Sequence, residues 1–156
     1  MFMRVHYIHE KGSRLVNEDE LLITADRFAV FDGVSSLEGR LIAGITGGKS
    51  AALIAKEEFA KQVSLMTAAF KANRRILAAM ENKGVNIFSK EERWATTVAA
   101  VCLRTGEFLT VGDSLILAIR IDGYDLVTPY VDHDMNTLCM MREFANVPDV
   151  RQLYIY

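Results

Sequence analysis

The stretch Phe28-Ala29-Val30-Phe31-Asp32-Gly33-Val34-Ser35-Ser36 decides how this chain is read. Four apolar residues run into an acidic residue, a glycine and then small polar residues. The apolar run reads as a buried strand, and Asp32-Gly33 as the turn that ends it. A carboxylate at a strand end stands on rigid backbone and can face a site. Its oxygens suit hard divalent cations such as Mg²⁺ and Mn²⁺. The same dipeptide is also an ordinary turn signal, so its neighbours decide what it means.

Upstream, Leu21-Leu22-Ile23-Thr24 reads as a second strand, separated from Phe28 by Asp26-Arg27. That spacing suggests a hairpin, although Asp-Arg is not a favoured turn pair. The polar segment Arg14-Leu15-Val16-Asn17-Glu18-Asp19-Glu20 leads into it. Antiparallel pairing would bring Glu18 and Asp19 in at the end where Asp32 and Gly33 leave. Arg4 to Glu10, with Val5, Tyr7 and Ile8, reads as an earlier strand broken by Lys11-Gly12-Ser13.

Downstream, Val34 to Gly48 is glycine-rich and reads as loop. Spacings of three and four between Ala52, Ala55, Phe59 and Val63 predict a helix near 48–64. A second follows near 65–82, with Gly84 as its C-terminal cap. Then the period changes. Ala95 to Leu103 reads as a buried strand, and Phe108-Leu109-Thr110-Val111-Gly112-Asp113-Ser114 repeats the opening pattern of an apolar strand running into an acidic turn. Further strands are expected near 114–121 and 124–129 about an Asp122-Gly123 hairpin turn, then a short helix over 132–144 and a last strand from Val150 to Tyr156. This order predicts an α+β fold of antiparallel sheets with helices packed on them.

The chain has 156 residues, of which 51% are hydrophobic, enough for one core in one domain spanning 1–156. With 18 basic and 20 acidic residues the net charge is −2. So even a balance gives no reason to expect nucleic acid or an anionic membrane as partner. No run approaches the ~20 apolar residues of a membrane span, and the start has no secretory pattern. Cys102 and Cys139 read as reduced core thiols of a cytoplasmic protein. His6, His9 and His133 have no metal-ligand spacing, and Trp94 reads as a packing residue at a sheet edge.

Glu18, Asp19, Asp32 and Asp113 all fall at expected strand ends beside small residues. Carboxylates that gather repel one another, and a cation is the usual reason to gather them. The same four residues also fit solvated turns that never meet.

Four segments, in order, resemble the metal-dependent serine/threonine protein phosphatases of the type 2C family, including bacterial sporulation-type members. Arg14 through Asn17-Glu18-Asp19 is similar to the family's arginine-then-acidic motif, and Phe28 to Gly33 to its apolar strand ending in Asp-Gly. Ala95-Thr96-Thr97 stands where the family has Gly-Thr-Thr. Gly112-Asp113-Ser114 matches its Gly-Asp-Ser turn, with Asp132-His133 similar to the Asp-His that follows. The resemblance implies an antiparallel β-sandwich flanked by helices, incomplete at the C-terminus. It implies that Asp32 bridges two Mg²⁺ or Mn²⁺ ions, with the Gly33 carbonyl, Glu18 and Asp19 on one of them. Arg14 would bind the substrate phosphate, and Asp113 would support the site or hold a third ion. The implied reaction is hydrolysis of phosphoserine or phosphothreonine esters of a phosphoprotein by metal-activated water.

Val34 stands where animal members have histidine, and Leu115 where arginine is usual. The Asp-Gly and Asp-Asn turns of the family's later strands have no counterpart before Tyr156. The chain is therefore expected to be a shortened member, weak or inactive as an enzyme. A non-catalytic phosphatase-like module that binds a regulatory partner is the alternative, with oligomer contacts through the surface left open. A further alternative is a nucleotide loop at Ala43-Gly44-Ile45-Thr46-Gly47-Gly48-Lys49-Ser50, which departs from the phosphate-cradling pattern only at Ala43.

Overall fold

The computed structural model describes residues 3–11, 16–34, 41–42, 44–61 and 64–127. Strands β1 (Glu20–Ile23) and β2 (Arg27–Val34) come first, then helices α1 (Gly47–Lys61) and α2 (Leu65–Asn82). Strands β3 (Ala95–Cys102), β4 (Glu107–Val111), β5 (Leu117–Arg120) and β6 (Gly123–Leu126) follow. The first four strands form one antiparallel sheet in the order β1-β2-β3-β4, and β5 pairs with β6 in a two-stranded ribbon. This is the expected α+β arrangement. Among the described residues the β5–β6 ribbon packs on no other strand or helix, so the second layer of the expected sandwich is not seen. The helix over 132–144 and the strand from Val150 lie outside the described residues.

Alternation along β2 makes the sheet two-faced. Ala29, Phe31 and Gly33 are buried, whereas Val30, Asp32 and Val34 are exposed. A period of two is what puts alternate residues of a strand on opposite faces. The buried face carries α1 and α2, and the core between them joins Leu22, Phe31, Phe59, Leu65, Val98 and Cys102. Phe31 and Phe59 meet edge to face, with ring centroids 5.3 Å apart at 75°, the geometry that aromatic quadrupoles favour. A second cluster gathers Ala51, Ile76, Met80, Val85 and Trp94. Trp94 is thus a core residue, its backbone N–H pointing at Met80 Sδ at 3.2 Å.

Three expectations are corrected. Residues 3–11 form no strand: all are exposed, and Tyr7 and Ile8 keep 65% and 87% of their surface. An alternating sequence becomes a strand only where a neighbouring strand accepts its hydrogen bonds. The β1–β2 turn lies earlier than Asp26-Arg27. Thr24 N–H donates to Arg27 O at 2.9 Å and Arg27 N–H donates to Thr24 Oγ1 at 2.9 Å, so the chain reverses through Ala25-Asp26. Arg27 is then the first residue of β2. It is 5% exposed, and its Nη1 donates to Phe59 O at 2.8 Å in the last turn of α1, where helix carbonyls lack helical partners. The ribbon turn also shifts by one residue: Arg120 pairs with Gly123, leaving Ile121-Asp122 as the loop.

Candidate metal centre

The β1–β2 register fixes the centre. Glu20 pairs with Phe31, so one step further Asp19 falls opposite Asp32 and Glu18 opposite Gly33. The close approach of Glu18 O to Gly33, 2.7 Å from where a Cβ would stand, agrees with that count. On the other side, Asp32 pairs with Thr97 and Gly33 with Thr96. Asp32-Gly33 is therefore not the turn at the end of β2. The strand runs through both to Val34, because β3 continues to pair with it as far as Ala95. Thr96 Oγ1 donates to Asp32 O at 2.9 Å, fastening the backbone beneath the carboxylate.

Asp32 and Thr97 pair across β2 and β3, and Asp19, just ahead of β1, continues the row. The Gly112-Asp113 turn joins its far end. Gly112 has φ +82°, and a Cβ there would come within 2.8 Å of Thr97 Cγ2, so only glycine fits. Thr97 Oγ1 and Ser114 Oγ are 2.6 Å apart, which ties this turn to β3.

The carboxylates brought together feel one another. The Asp32 residue is exposed as a whole, yet its carboxyl is partly shielded. That burial first, then the charge of Asp19 and a hydrogen bond with its carboxyl, then the charges of Asp113 and Glu18, push the Asp32 pKa up. Two carboxyls can share a hydrogen bond only if one keeps its proton. Glu18 itself is buried, at 7% exposure. Of the residues singled out from sequence, Glu18, Asp19, Asp32, Gly33 and Asp113 converge here, and Arg14 lies outside the described residues. Among the described residues, no three or more His, Cys, Asp or Glu side chains are arranged to hold a metal ion as they stand. The donor chemistry nevertheless fits a hard cation: the groups are all oxygen, negatively charged, and repelled by one another until a positive charge joins them.

Sequence reasoning missed the basic partners of this segment. Lys49 Nζ sits 2.6 Å from Glu20 Oε1 and donates to Asp19 O at 2.9 Å. Lys56 Nζ sits 2.6 Å from Glu20 Oε2. Both lie on α1, about two turns apart, so they share one side of the helix. Burial works to raise the Glu20 pKa, but hydrogen bonds and charges from Lys49 and Lys56 outweigh it and hold the carboxyl below its ordinary range. With Lys49 so engaged and the described sheet antiparallel, described residues 44–50 are not part of a parallel strand–loop–helix unit.

This fold, an antiparallel sheet with two helices on one face, is shared with solved serine/threonine phosphatases. The chain is similar in structure to the Mycobacterium tuberculosis serine/threonine phosphatase PstP/Ppp, with a TM-score of 0.61 at 20% identity. That match covers 83% of this chain and 55% of the phosphatase. The catalytic domain of PstP, solved in complex with two manganese ions, matches with a TM-score of 0.60 at 20% identity, over 83% of this chain and 56% of that one. PppA, described as a key regulatory component of the T6SS in Pseudomonas aeruginosa, gives 0.57 at 17% identity, over 81% and 55%. The likeness is one of fold, and the chain spans little more than half the length of each of these structures. No protein-family model matches the sequence, and no curated protein does. No helix among the described residues is long and apolar enough to cross a membrane.

Proposed function

We propose that this chain is a phosphatase-like domain that binds Mg²⁺ or Mn²⁺ and acts on phosphoserine or phosphothreonine esters. The observation that carries the reading is the Glu20–Phe31 pairing, which brings Asp19, just before β1, up to Asp32 of β2, with the charges of Asp19 and Asp113 both acting on the Asp32 carboxyl. The manganese-bound phosphatase of similar fold supports it.

Asp32, Asp19 and Glu18, with the Gly33 carbonyl, would hold the cation. Asp113 would support the site from the Gly112 turn. A divalent cation there supplies Lewis acidity toward a phosphoryl oxygen and lowers the pKa of water. The protein's own part is to keep the carboxylates at fixed spacing on paired strands and to orient the substrate. Arg14 would bind the phosphate, since a guanidinium offers two parallel donors to two oxygens. The experiment is turnover of p-nitrophenyl phosphate and of a phosphothreonine peptide with saturating Mn²⁺, beside Asp32→Asn and Arg14→Met. Turnover that vanishes in Asp32→Asn and falls in Arg14→Met supports the reading. Equal, measurable turnover in the wild type and Asp32→Asn contradicts it, and a wild type that binds Mn²⁺ without turnover favours the non-catalytic module.

A further inference from the structure

Lys49 does more than join a helix to a strand. It stands in the first turn of α1, half-buried, and reaches across to the segment that carries the acidic residues. Its ammonium is held between Glu20 Oε1 at 2.6 Å and the backbone oxygen of Asp19 at 2.9 Å. The Asp19 N–H donates to Asn17 Oδ1 at 2.9 Å. His9 Nε2 lies 3.2 Å from the same Asp19 oxygen and donates to it in the tautomer that carries its proton there. Asp19 precedes β1, which begins at Glu20, so these side chains reach its backbone just outside the strand. A charge-assisted hydrogen bond is roughly twice as strong as a neutral one, which makes Lys49 the dominant member of this clamp.

With Asp19 O held by Lys49 and Asp19 N–H by Asn17, both peptide planes that flank its Cα are held, and with them the direction of its Cα–Cβ bond. We propose that Lys49 is a positioning residue: by holding the Asp19 backbone it aims the Asp19 carboxylate at Asp32 and so sets the cation affinity of the site. The affinity part rests on the cation reading above. The competing role is a strut between α1 and β1, made through Glu20 alone. Lys56 separates the two. It pairs with the other oxygen of Glu20 at 2.6 Å from the same helix. Replacing it removes the same charge from the same carboxylate while leaving the Lys49–Asp19 contact in place.

The test uses the full chain as wild type, Lys49→Met, Lys49→Arg and Lys56→Met. Two quantities are read: Mn²⁺ affinity by calorimetry, and amide hydrogen exchange at Asp19 by NMR in metal-free protein. Lys49→Met is expected to weaken Mn²⁺ binding about tenfold and to speed exchange at Asp19 by a similar factor, the scale of one lost hydrogen bond to a charged group. Exchange at Leu22, inside β1, stays as in the wild type. Lys49→Arg restores most of both, and Lys56→Met leaves both unchanged. Unaltered exchange at Asp19 in Lys49→Met, or equal effects of Lys49→Met and Lys56→Met, overturns the proposal. Wild type that takes up no Mn²⁺ overturns the cation reading instead, and the exchange measurement still decides whether Lys49 orders Asp19.

Discussion

Gly33 of β2 and Gly48 of α1 touch through their backbones. A methyl group on Gly33 would stand 2.6 Å from Gly48 O, and one on Gly48 would stand 2.7 Å from Val34 O. The first turn of α1 therefore rests directly on the strand that carries Asp32, and from there Lys49 spans to Asp19. Either Gly33→Ala or Gly48→Ala must push backbone from backbone, because no flexible side chain is there to yield. Overpacking of this kind costs about 2 kcal/mol. Calorimetry should show a fall in Tm of several degrees for each variant, and a pair of unchanged melting curves would refute the contact.

Glu20 makes stability depend on pH. Its folded-state pKa lies below the ordinary carboxyl value of 4.5, since Lys49 and Lys56 outweigh the effect of burial. A depressed carboxylate contributes stability that is present above its unfolded pKa and lost as pH falls through the lower folded value. Urea unfolding of the wild type and Glu20→Gln should therefore differ at pH 7, by about 1 kcal/mol for partly exposed partners. The difference should shrink as the solution is acidified below pH 4.5. A gap that widens on acidification would mean the sign is wrong.

Arg27 is buried with its guanidinium on Phe59 O. Arg27→Met keeps the length of the side chain but leaves that carbonyl at the end of α1 without its donor. A cost of about 2 kcal/mol is expected in chemical denaturation, the range for losing a buried hydrogen bond to a charged group. A variant as stable as the wild type would show that water replaces the contact.

Thr97 and Ser114 join the Gly112-Asp113 turn to β3 through hydroxyls 2.6 Å apart. In a double-mutant cycle, Thr97→Val and Ser114→Ala should each cost about 1 kcal/mol and couple by at least about 0.5 kcal/mol. Strict additivity would show that the two hydroxyls act independently.

Much of the fold could be read in the chain because hydrophobic period is a local signal. The change from spacings of three and four before residue 82 to the apolar run at Ala95 located α2 and β3 to within a residue and α1 to within three. That Glu18 and Asp19 come near Asp32 and Gly33 was legible too, since pairing β1 with β2 follows from their proximity in sequence. What stayed hidden depends on contacts between distant residues. Arg27 reads as turn because nothing local shows that α1 will end above it. Lys49 reads as a phosphate-loop lysine until the helix start is laid on β2 and its ammonium meets Glu20 and Asp19. The segment Val5 to Ile8 alternates like a strand, but pairing is not a property of one segment alone. Asp32-Gly33 has the composition of a turn, and only the length of β3 shows that the strand continues through it.

The most direct test of the account is Mn²⁺ binding to the wild type and Asp32→Asn, by calorimetry and by melting in chelator and in excess Mn²⁺. Burial, and then the like charges of Asp19, Asp113 and Glu18, push the Asp32 pKa up, so removing its charge should relieve desolvation and repulsion in the metal-free protein. The account predicts that Asp32→Asn melts at the wild-type temperature or above it in chelator. It also predicts that the variant loses at least about tenfold in Mn²⁺ affinity, and with it the stabilisation that a ligand gives by binding only the folded state. Asp32→Asn that folds and binds Mn²⁺ as tightly as the wild type would contradict it.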